Sequence, residues 1–150
     1  MIDAKLIVSA TNAEYKGKNV EFTGLTTDSR AVKAGELFVA FSGETFDGHN
    51  YCAKAVELGA TGVLVSKDVE GLPEDVAVFK VPNTLKAFQE IARAYRRSFA
   101  DLKVFAITGS NGKTSTKDLL AACLGAKYNV VKTQGNFNNE IGLPKTLLNI

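Results

Sequence analysis

The feature that most constrains the fold of this chain is a glycine-rich turn at residues 107–114, which lies between a strand pattern and a helix pattern. The preceding segment, 103–107, is short, mostly apolar and rich in β-favouring residues, so it predicts a buried strand. After the turn, apolar residues recur at helical spacing until Gly125 provides a stop signal. A strand, a glycine turn and a helix in this order predict a phosphate-binding loop, because backbone N–H groups at the helix N-terminus face the anion.

The loop would place two side chains against a bound nucleoside triphosphate. Lys113 would add positive charge beside the β- and γ-phosphates, and the Thr114 hydroxyl would complete a Mg²⁺ shell. Only two residues separate Gly109 from Gly112, whereas the common loop has four between its glycines. A plain strand-to-helix turn is the alternative, but the strand–loop–helix context favours nucleotide binding. The predicted loop residues are Gly109, Ser110, Asn111, Gly112, Lys113, Thr114 and Ser115.

Composition argues against several classes of protein. A formal net charge of +2 is too small to indicate a nucleic-acid partner, and we expect Arg93, Arg96 and Arg97 on the solvated face of one helix. Cys52 and Cys123 lack metal-ligand spacing, so we expect packed, reduced thiols. The chain shows neither a signal-peptide layout nor an apolar run of roughly 18 residues. We therefore expect a cytoplasmic protein without membrane insertion.

The part of the chain before Leu102 alternates strand and helix patterns, which predicts an α/β layer with at least partly parallel strands. One helix is predicted at 50–58, with Tyr51, Ala55 and Leu58 on one face, and another follows residues 82–83. This second helix, or the polar turn after it, is the expected domain boundary. Strands are predicted at 20–25, 37–41, 62–65, 77–81 and, further along, 129–132.

The segment after the loop is short for an α/β nucleotide-binding domain. It offers the helix, the strand pattern at 129–132 and a further helix that begins after Gly142 and Pro144 and still continues at Ile150. Such a domain needs more parallel strands, and usually an apolar strand that ends in an acidic Mg²⁺ ligand. We therefore expect the N-terminal fragment of a longer enzyme, inactive alone, with an incomplete second domain.

Several motifs resemble those of the Mur ligases, the ATP-dependent amide ligases of peptidoglycan synthesis. Residues 108–118 are similar to their shortened ATP loop. Residues 135–144 resemble a second signature, that of the member that adds D-alanyl-D-alanine. Upstream, residues 27–30, 35–40 and 43–49 resemble the uridine-nucleotide domain shared by that member and its sister ligase.

The resemblance implies a domain plan and a reaction. Residues 1–82 would form a small α/β UDP-substrate-binding domain, 83–102 a linker helix, and 103–150 the start of a P-loop-type α/β ATP-binding domain. The enzyme would join D-alanyl-D-alanine to a UDP-N-acetylmuramoyl tripeptide through an acyl phosphate, using ATP and Mg²⁺. We expect a monomer at full length. The family's main metal-binding glutamate and modified lysine are expected beyond Ile150.

The resemblance also assigns site residues. Lys113 and Thr114 are the implied catalytic residues, and Asn136 and Asn139 match asparagines whose neutral amides donate to a γ-phosphate. Glu140 is either a carboxylate favoured by a helix N-terminus or part of the Mg²⁺ shell. The implied UDP-substrate-binding residues are Thr27, Ser29, Arg30, Glu44, Thr45, Phe46 and His49.

Some alternatives stay open on the sequence alone. Arg30 is either a diphosphate ligand or the partner of Asp28 in a structural ion pair. His49, the only histidine, is either structural or a donor to the diphosphate, and no carboxylate partner is identifiable for it. At the level of the protein, the alternatives are the sister ligase that adds a diamino acid, a folylpolyglutamate synthase and a nucleotide-binding module without catalysis.

Overall fold

The computed structural model describes residues 2–43, 45–135 and 137–150. Its strands are β1 (Ile2–Asp3), β2 (Glu14–Lys16), β3 (Glu21–Phe22), β4 (Leu25–Thr26), β5 (Leu37–Val39), β6 (Gly62–Val65) and β7 (Ala77–Lys80). Its α-helices are α1 (Ala4–Thr11), α2 (Cys52–Glu57), α3 (Thr84–Arg97), α4 (Lys113–Gly125) and α5 (Gly142–Leu147), and a 3₁₀ helix spans Gly48–Tyr51.

A five-stranded sheet organises the first part of the chain, in the order β2-β7-β6-β5-β4. The strands from β4 to β7 pair in parallel, and β2 pairs antiparallel with β7 at one edge. Parallel neighbours need a crossover connection, and α2 provides it between β5 and β6. The α/β fold class and the partly parallel pairing are therefore confirmed.

Both faces of the sheet are buried, and the side chains of the central strands alternate between two core clusters. In β5, Leu37 and Val39 face a core cluster with α1 and α3, while Phe38 faces a second cluster with α2. Leu64 and Val63 of β6 divide between the same two clusters. Continuous apolar runs are typical of parallel strands covered on both sides, which is why these strands could be predicted from the sequence.

Two polar side chains fix where the helices of the first core cluster begin. The Leu6 N–H donates to Asp3 Oδ1 over 2.7 Å at the start of α1, and the Lys86 N–H donates to Asn83 Oδ1 over 2.9 Å at the start of α3. Each cap satisfies a backbone donor that has no partner within its helix. Both helices lie on one face of the sheet, where they contact each other.

The last helix packs against α3. Gln89 Nε2 donates to the Glu140 carbonyl over 3.1 Å, and the Tyr95 hydroxyl donates to the Ile150 carbonyl over 3.1 Å. Ile141 also packs against the first core cluster. The helix ends at Leu147 rather than continuing to Ile150. The division of the chain at 83–102 stays a prediction.

Three strand predictions are wrong. Residues 103–107 and 129–132 form no strand, and Phe105 is 59% exposed. A strand needs a neighbour for its backbone hydrogen bonds, and among the described residues neither segment is paired. The predicted strand at 20–25 is two strands in two sheets, since β3 pairs with β1 and β4 with β5.

The cysteine and helix-face predictions are confirmed in part. Both thiols are free and Cys52 is buried, but Cys123 is exposed, because α4 buries none of its residues. Arg93 and Arg97 are exposed on α3, as expected, whereas Arg96 is half-buried. Of the three residues predicted to share one face of the helix at 50–58, however, only Ala55 is buried, whereas Tyr51 and Leu58 are exposed. Within the described residues no helix combines the length and apolar character needed to span a bilayer.

Candidate functional site

An open cleft of about 750 Å³ lies beyond the carboxyl ends of β4 and β5. Residues 27–30 follow β4 directly, and Phe46 comes from the loop that follows β5. In open α/β sheets this edge of a parallel sheet is where ligands bind. The lining residues are Thr27, Asp28, Ser29, Arg30, Phe46, Tyr51, Lys54 and Leu58, so four of the predicted UDP-substrate-binding residues come together here.

The turn after β4 is held by Thr26, Asp28 and Arg30. The Asp28 N–H donates to Thr26 Oγ1 over 3.3 Å, and the Arg30 N–H donates to Asp28 Oδ1 over 3.0 Å. The Arg30 guanidinium binds both Asp28 carboxylate oxygens, each at 2.9 Å. These hydrogen bonds from Arg30 lower the pKa of Asp28 to about 2. The structure therefore contains the Asp28–Arg30 ion pair, which was one of the two alternatives for Arg30. The other alternative, a diphosphate ligand, stays a prediction.

Two aromatic rings, together with Leu58, form the apolar part of the cleft. Phe46 and Tyr51 stack with ring centroids 5.4 Å apart and an interplanar angle of 14°. Both rings remain exposed, Phe46 at 51% and Tyr51 at 42%. Sequence reasoning missed Tyr51 as a site residue, because its spacing suggested the buried face of a helix.

The structure supplies the carboxylate partner of His49 that could not be identified from the sequence. The side chain is buried, its Nδ1 lies 2.6 Å from Asp47 Oδ1, and its Nε2 accepts from the Ser66 N–H over 2.9 Å. Hydrogen bonds from Lys67 and then from His49 hold the pKa of Asp47 well below its ordinary value. His49 lines a separate pocket of about 400 Å³, so it does not join the residues of the cleft.

Two predicted residues of the first site remain, Glu44 and Thr45. Thr45 is exposed and does not line the cleft. Glu44 lies outside the described residues, as does Asn136 of the second site. The roles assigned to these three residues stay predictions.

The predicted ATP loop leads into α4, as expected. Gly112 precedes the helix with a φ of +76°, in the left-handed region that favours glycine. No side chain among the described residues caps α4, so the backbone N–H groups of its first turn are open to a ligand. Lys113 Nζ folds back onto the carbonyls of Gly109 and Ser110. A cation, open N–H donors and the Thr114 hydroxyl are a donor set that fits a phosphate group.

These residues could hold Mg²⁺ only together with a bound phosphate group. Among the described residues there is no group of three or more His, Cys, Asp or Glu that would hold a metal ion. Mg²⁺ is commonly bound by few protein oxygens together with nucleotide phosphates and water. Thr114 offers one such oxygen, and the exposed Glu140 lies two residues before α5.

One side chain of α4 contacts the segment at the start of the second signature, residues 135–144. Lys117 of α4 is half-buried, and its Nζ donates to the Thr133 carbonyl over 2.7 Å and to the Gly135 carbonyl over 3.0 Å. Asn139 Oδ1 accepts from the Gly142 N–H over 2.7 Å at the start of α5. This leaves the Asn139 amide NH₂ as the donor for a ligand. Sequence reasoning did not single out Lys117, although it lies within the 108–118 motif.

Comparison with known families agrees with this arrangement. The family described as "Mur ligase family, catalytic domain" matches residues 21–96, and "Mur ligase middle domain" matches residues 107–150. The chain belongs to the Mur ligase family. The match over 21–96 includes the cleft, and the match over 107–150 includes the loop before α4.

Individual relatives are similar over nearly the whole chain. The UDP-N-acetylmuramoyl-tripeptide–D-alanyl-D-alanine ligase of Synechocystis is 44% identical over 96% of this chain. The corresponding ligase of Acinetobacter baumannii has a solved structure that matches 98% of the chain with a TM-score of 0.86 and 32% identity. The MurF ligase of Thermotoga maritima, solved in complex with ADP, matches 83% of the chain with a TM-score of 0.72 and 34% identity. The chain spans 31% of the Synechocystis relative and 33% and 28% of the two solved chains.

Proposed function

We propose that this chain carries the UDP-substrate and ATP sites of a ligase that joins D-alanyl-D-alanine to a UDP-N-acetylmuramoyl tripeptide. The names of the relatives support this reaction, since ligases with that name share 44% and 41% identity with the chain. The sister ligase that adds diaminopimelate matches at only 20% identity, which supports the shared fold alone. We further propose that the protein acts as a cytoplasmic monomer.

The observation that carries the proposal is the cleft beyond β4 and β5. Thr27, Ser29 and Arg30 come from one predicted motif and Phe46 from another, yet all four line the same cavity. Hydroxyl groups suit the uracil edge and the ribose, and an aromatic surface suits the face of a base. Arg30 would add positive charge toward a diphosphate, although its pairing with Asp28 reduces that charge.

The loop before α4 is the proposed ATP site. When bound, ATP would supply the phosphoryl group that activates the tripeptide carboxylate for attack by the amine. Lys113 would neutralise phosphate charge, the first turn of α4 would donate its N–H groups, and Asn139 would donate its amide. Thr114 would provide an oxygen for Mg²⁺. This reaction depends on positioning and charge stabilisation rather than on a nucleophilic side chain.

Crossed substitutions at the two sites test the proposal. Ser29→Ala should weaken binding of UDP-N-acetylmuramoyl tripeptide by about two- to tenfold, because a neutral hydrogen bond contributes about 0.5–1.5 kcal/mol. Lys113→Ala should weaken binding of ATP with Mg²⁺ by at least about tenfold, since hydrogen bonds from charged groups contribute about 1.5–3 kcal/mol. Each variant should leave the other ligand's dissociation constant unchanged, as measured by titration calorimetry.

Matched controls exclude general damage to the fold. Ser9→Ala and Lys5→Ala replace exposed residues of α1, and they should change neither dissociation constant. A protein that binds no uridine nucleotide at millimolar concentration would contradict the proposal. So would a Ser29→Ala variant with lower thermal stability and unchanged affinity, because that result would make Ser29 a residue of the turn alone.

A further inference from the structure

A tight loop between β5 and the 3₁₀ helix carries Phe46 to the cleft. The Gly43 N–H donates to the Phe46 carbonyl over 2.7 Å, and the Gly48 N–H donates to the Phe41 carbonyl over 2.7 Å. Ser42 and Asp47 also form an antiparallel bridge across the base of the loop. The loop therefore has a closed base, and Phe46 lies within the loop directly beside the bridge.

Asp47 is the centre of the polar contacts at this base. Its Oδ1 accepts from the His49 backbone N–H over 3.0 Å and from the Ser42 hydroxyl over 3.1 Å, and it lies 2.6 Å from His49 Nδ1. Its Oδ2 accepts from Lys67 Nζ. One carboxylate thus joins both sides of the loop base to the 3₁₀ helix and to the segment after β6.

The buried His49 ring fixes this centre to the sheet. A backbone N–H can only donate, so the 2.9 Å contact from the Ser66 N–H requires a lone pair on Nε2. The ring proton of that tautomer lies on Nδ1 and is donated to Asp47. His49 therefore bridges the loop to Ser66, the residue that directly follows β6, and its ring is held at both nitrogens.

The two stacked rings flank this pair along the chain. Phe46 directly precedes Asp47, and Tyr51 follows His49 by two residues. The flanking rings face the cleft and are half exposed, whereas His49 is 4% exposed. The segment that carries this otherwise exposed aromatic pair is therefore also the one that Asp47 and His49 hold by polar contacts.

We propose that Asp47 and His49 are positioning residues, which hold the Phe46–Tyr51 stack in place so that it contacts the uridine part of the substrate. The identity of the ligand as a uridine nucleotide rests on the function proposed above, whereas the positioning of the rings does not. An aromatic surface that is already ordered binds a planar base without first losing conformational freedom. Neither Asp47 nor His49 needs to contact the substrate for this effect.

A tryptophan reporter tests the positioning without any ligand. The chain has no tryptophan, so Phe46→Trp places one tryptophan, which can be excited apart from the four tyrosines, in the stack. In this background, Asp47→Ala removes the four contacts of the carboxylate and leaves only Ser42 Oγ, 3.2 Å from His49 Nδ1, as a side-chain contact at the loop base. His49→Asn keeps a donor toward Asp47 and loses the acceptor for Ser66. Time-resolved anisotropy should show a larger fast component for Asp47→Ala and an intermediate one for His49→Asn.

The control variant separates this effect from a general loss of stability. Val63→Ala removes fully buried methyl groups from the core cluster under α2 and touches no polar contact of the loop. It should lower the thermal midpoint and leave the reporter's anisotropy unchanged. An unchanged anisotropy in Asp47→Ala would overturn the proposal, and so would an equal change in Val63→Ala.

The ligand measurement then separates this proposal from the proposed function. With Phe46 present, Asp47→Ala should raise the dissociation constant of UDP-N-acetylmuramoyl tripeptide by about two- to tenfold, the range for loss of an aromatic contact. In a Phe46→Ala background the same substitution should have no further effect. A further tenfold loss there would overturn positioning through Phe46. If the unsubstituted protein binds no uridine nucleotide while the reporter responds as expected, the proposed function fails and the positioning of the rings stands.

Discussion

Gly48 is the position where a single added methyl group should disturb the site most. It is buried at the start of the 3₁₀ helix, and a Cβ built there would lie 2.8 Å from the Phe41 carbonyl oxygen and 2.9 Å from the Phe41 nitrogen. Both contacts are shorter than the 3.4–4 Å of ordinary van der Waals contact. Because these neighbours are backbone atoms, the alanine cannot be accommodated by a side-chain rotation, and the main chain must shift.

The expected cost of Gly48→Ala follows from this geometry. Overpacking in a well-packed region costs about 1–3 kcal/mol, and we expect the upper half of that range because both neighbours belong to the main chain. For a chain of this length, each kcal/mol lowers the thermal midpoint by about 2–4 °C. Urea denaturation should therefore show a free energy of unfolding reduced by about 2–3 kcal/mol, with the denaturant slope unchanged.

Gly71→Ala is the matched control for this prediction. Gly71 has a φ of +76° but no atom within 4 Å of the added Cβ, so the substitution introduces backbone strain without a clash. Left-handed geometry costs an L-residue about 1–2 kcal/mol. If Gly48→Ala proves no more destabilising than Gly71→Ala, the close approach at Gly48 does not govern the local stability and the reasoning is refuted.

Three further outcomes are expected. Arg30→Met should return the pKa of Asp28 from about 2 toward its ordinary value in a carboxyl NMR titration. In the unsubstituted protein the Asp28–Arg30 pair stabilises the fold fully above about pH 4, and this stabilisation is lost as the pH falls toward 2. An unshifted pKa would mean that the pair does not persist in solution. Asn83→Ala should cost about 0.5–2 kcal/mol in urea denaturation by uncapping α3, and a neutral result would contradict the cap. Lys117→Met should speed hydrogen exchange at 133–135 without affecting α3, and equal protection would show that the lysine does not hold that segment.

Much of the sheet could be predicted from the sequence because its strands are buried on both faces. The runs at β5 and β6 are continuously apolar, β7 is apolar except for Lys80, and the period of α3 is regular. The short α1 and the antiparallel β2 were not predicted, because eight and three residues give little periodicity. The strands predicted at 103–107 and 129–132 show the opposite error. Local preference for β structure was present, but the described residues offer those segments no strand to pair with.

The candidate site was predicted in part for a similar reason. Motif resemblance selected Thr27, Ser29, Arg30 and Phe46, and the parallel pairing of β4 with β5 brings them into one cleft. Contacts between distant segments have no local signature in a sequence. The bond from Ser66 to His49 spans 17 positions, and those from Lys117 span 16 and 18. Tyr51 was missed because exposure depends on what packs against a helix and not on spacing alone.

The proposal of two separate nucleotide sites is tested most directly by mapping each ligand on the backbone amide NMR spectrum of the protein. Adding UDP-N-acetylmuramoyl tripeptide should shift the amide signals of residues 27–30 and of Phe46 and Tyr51, and should leave 109–115 unchanged. Adding ADP with Mg²⁺ should shift 109–115 and leave the first set unchanged. A uridine ligand that shifts 109–115 and spares 27–30 would contradict the proposal that the cleft beyond β4 and β5 is the UDP-substrate site.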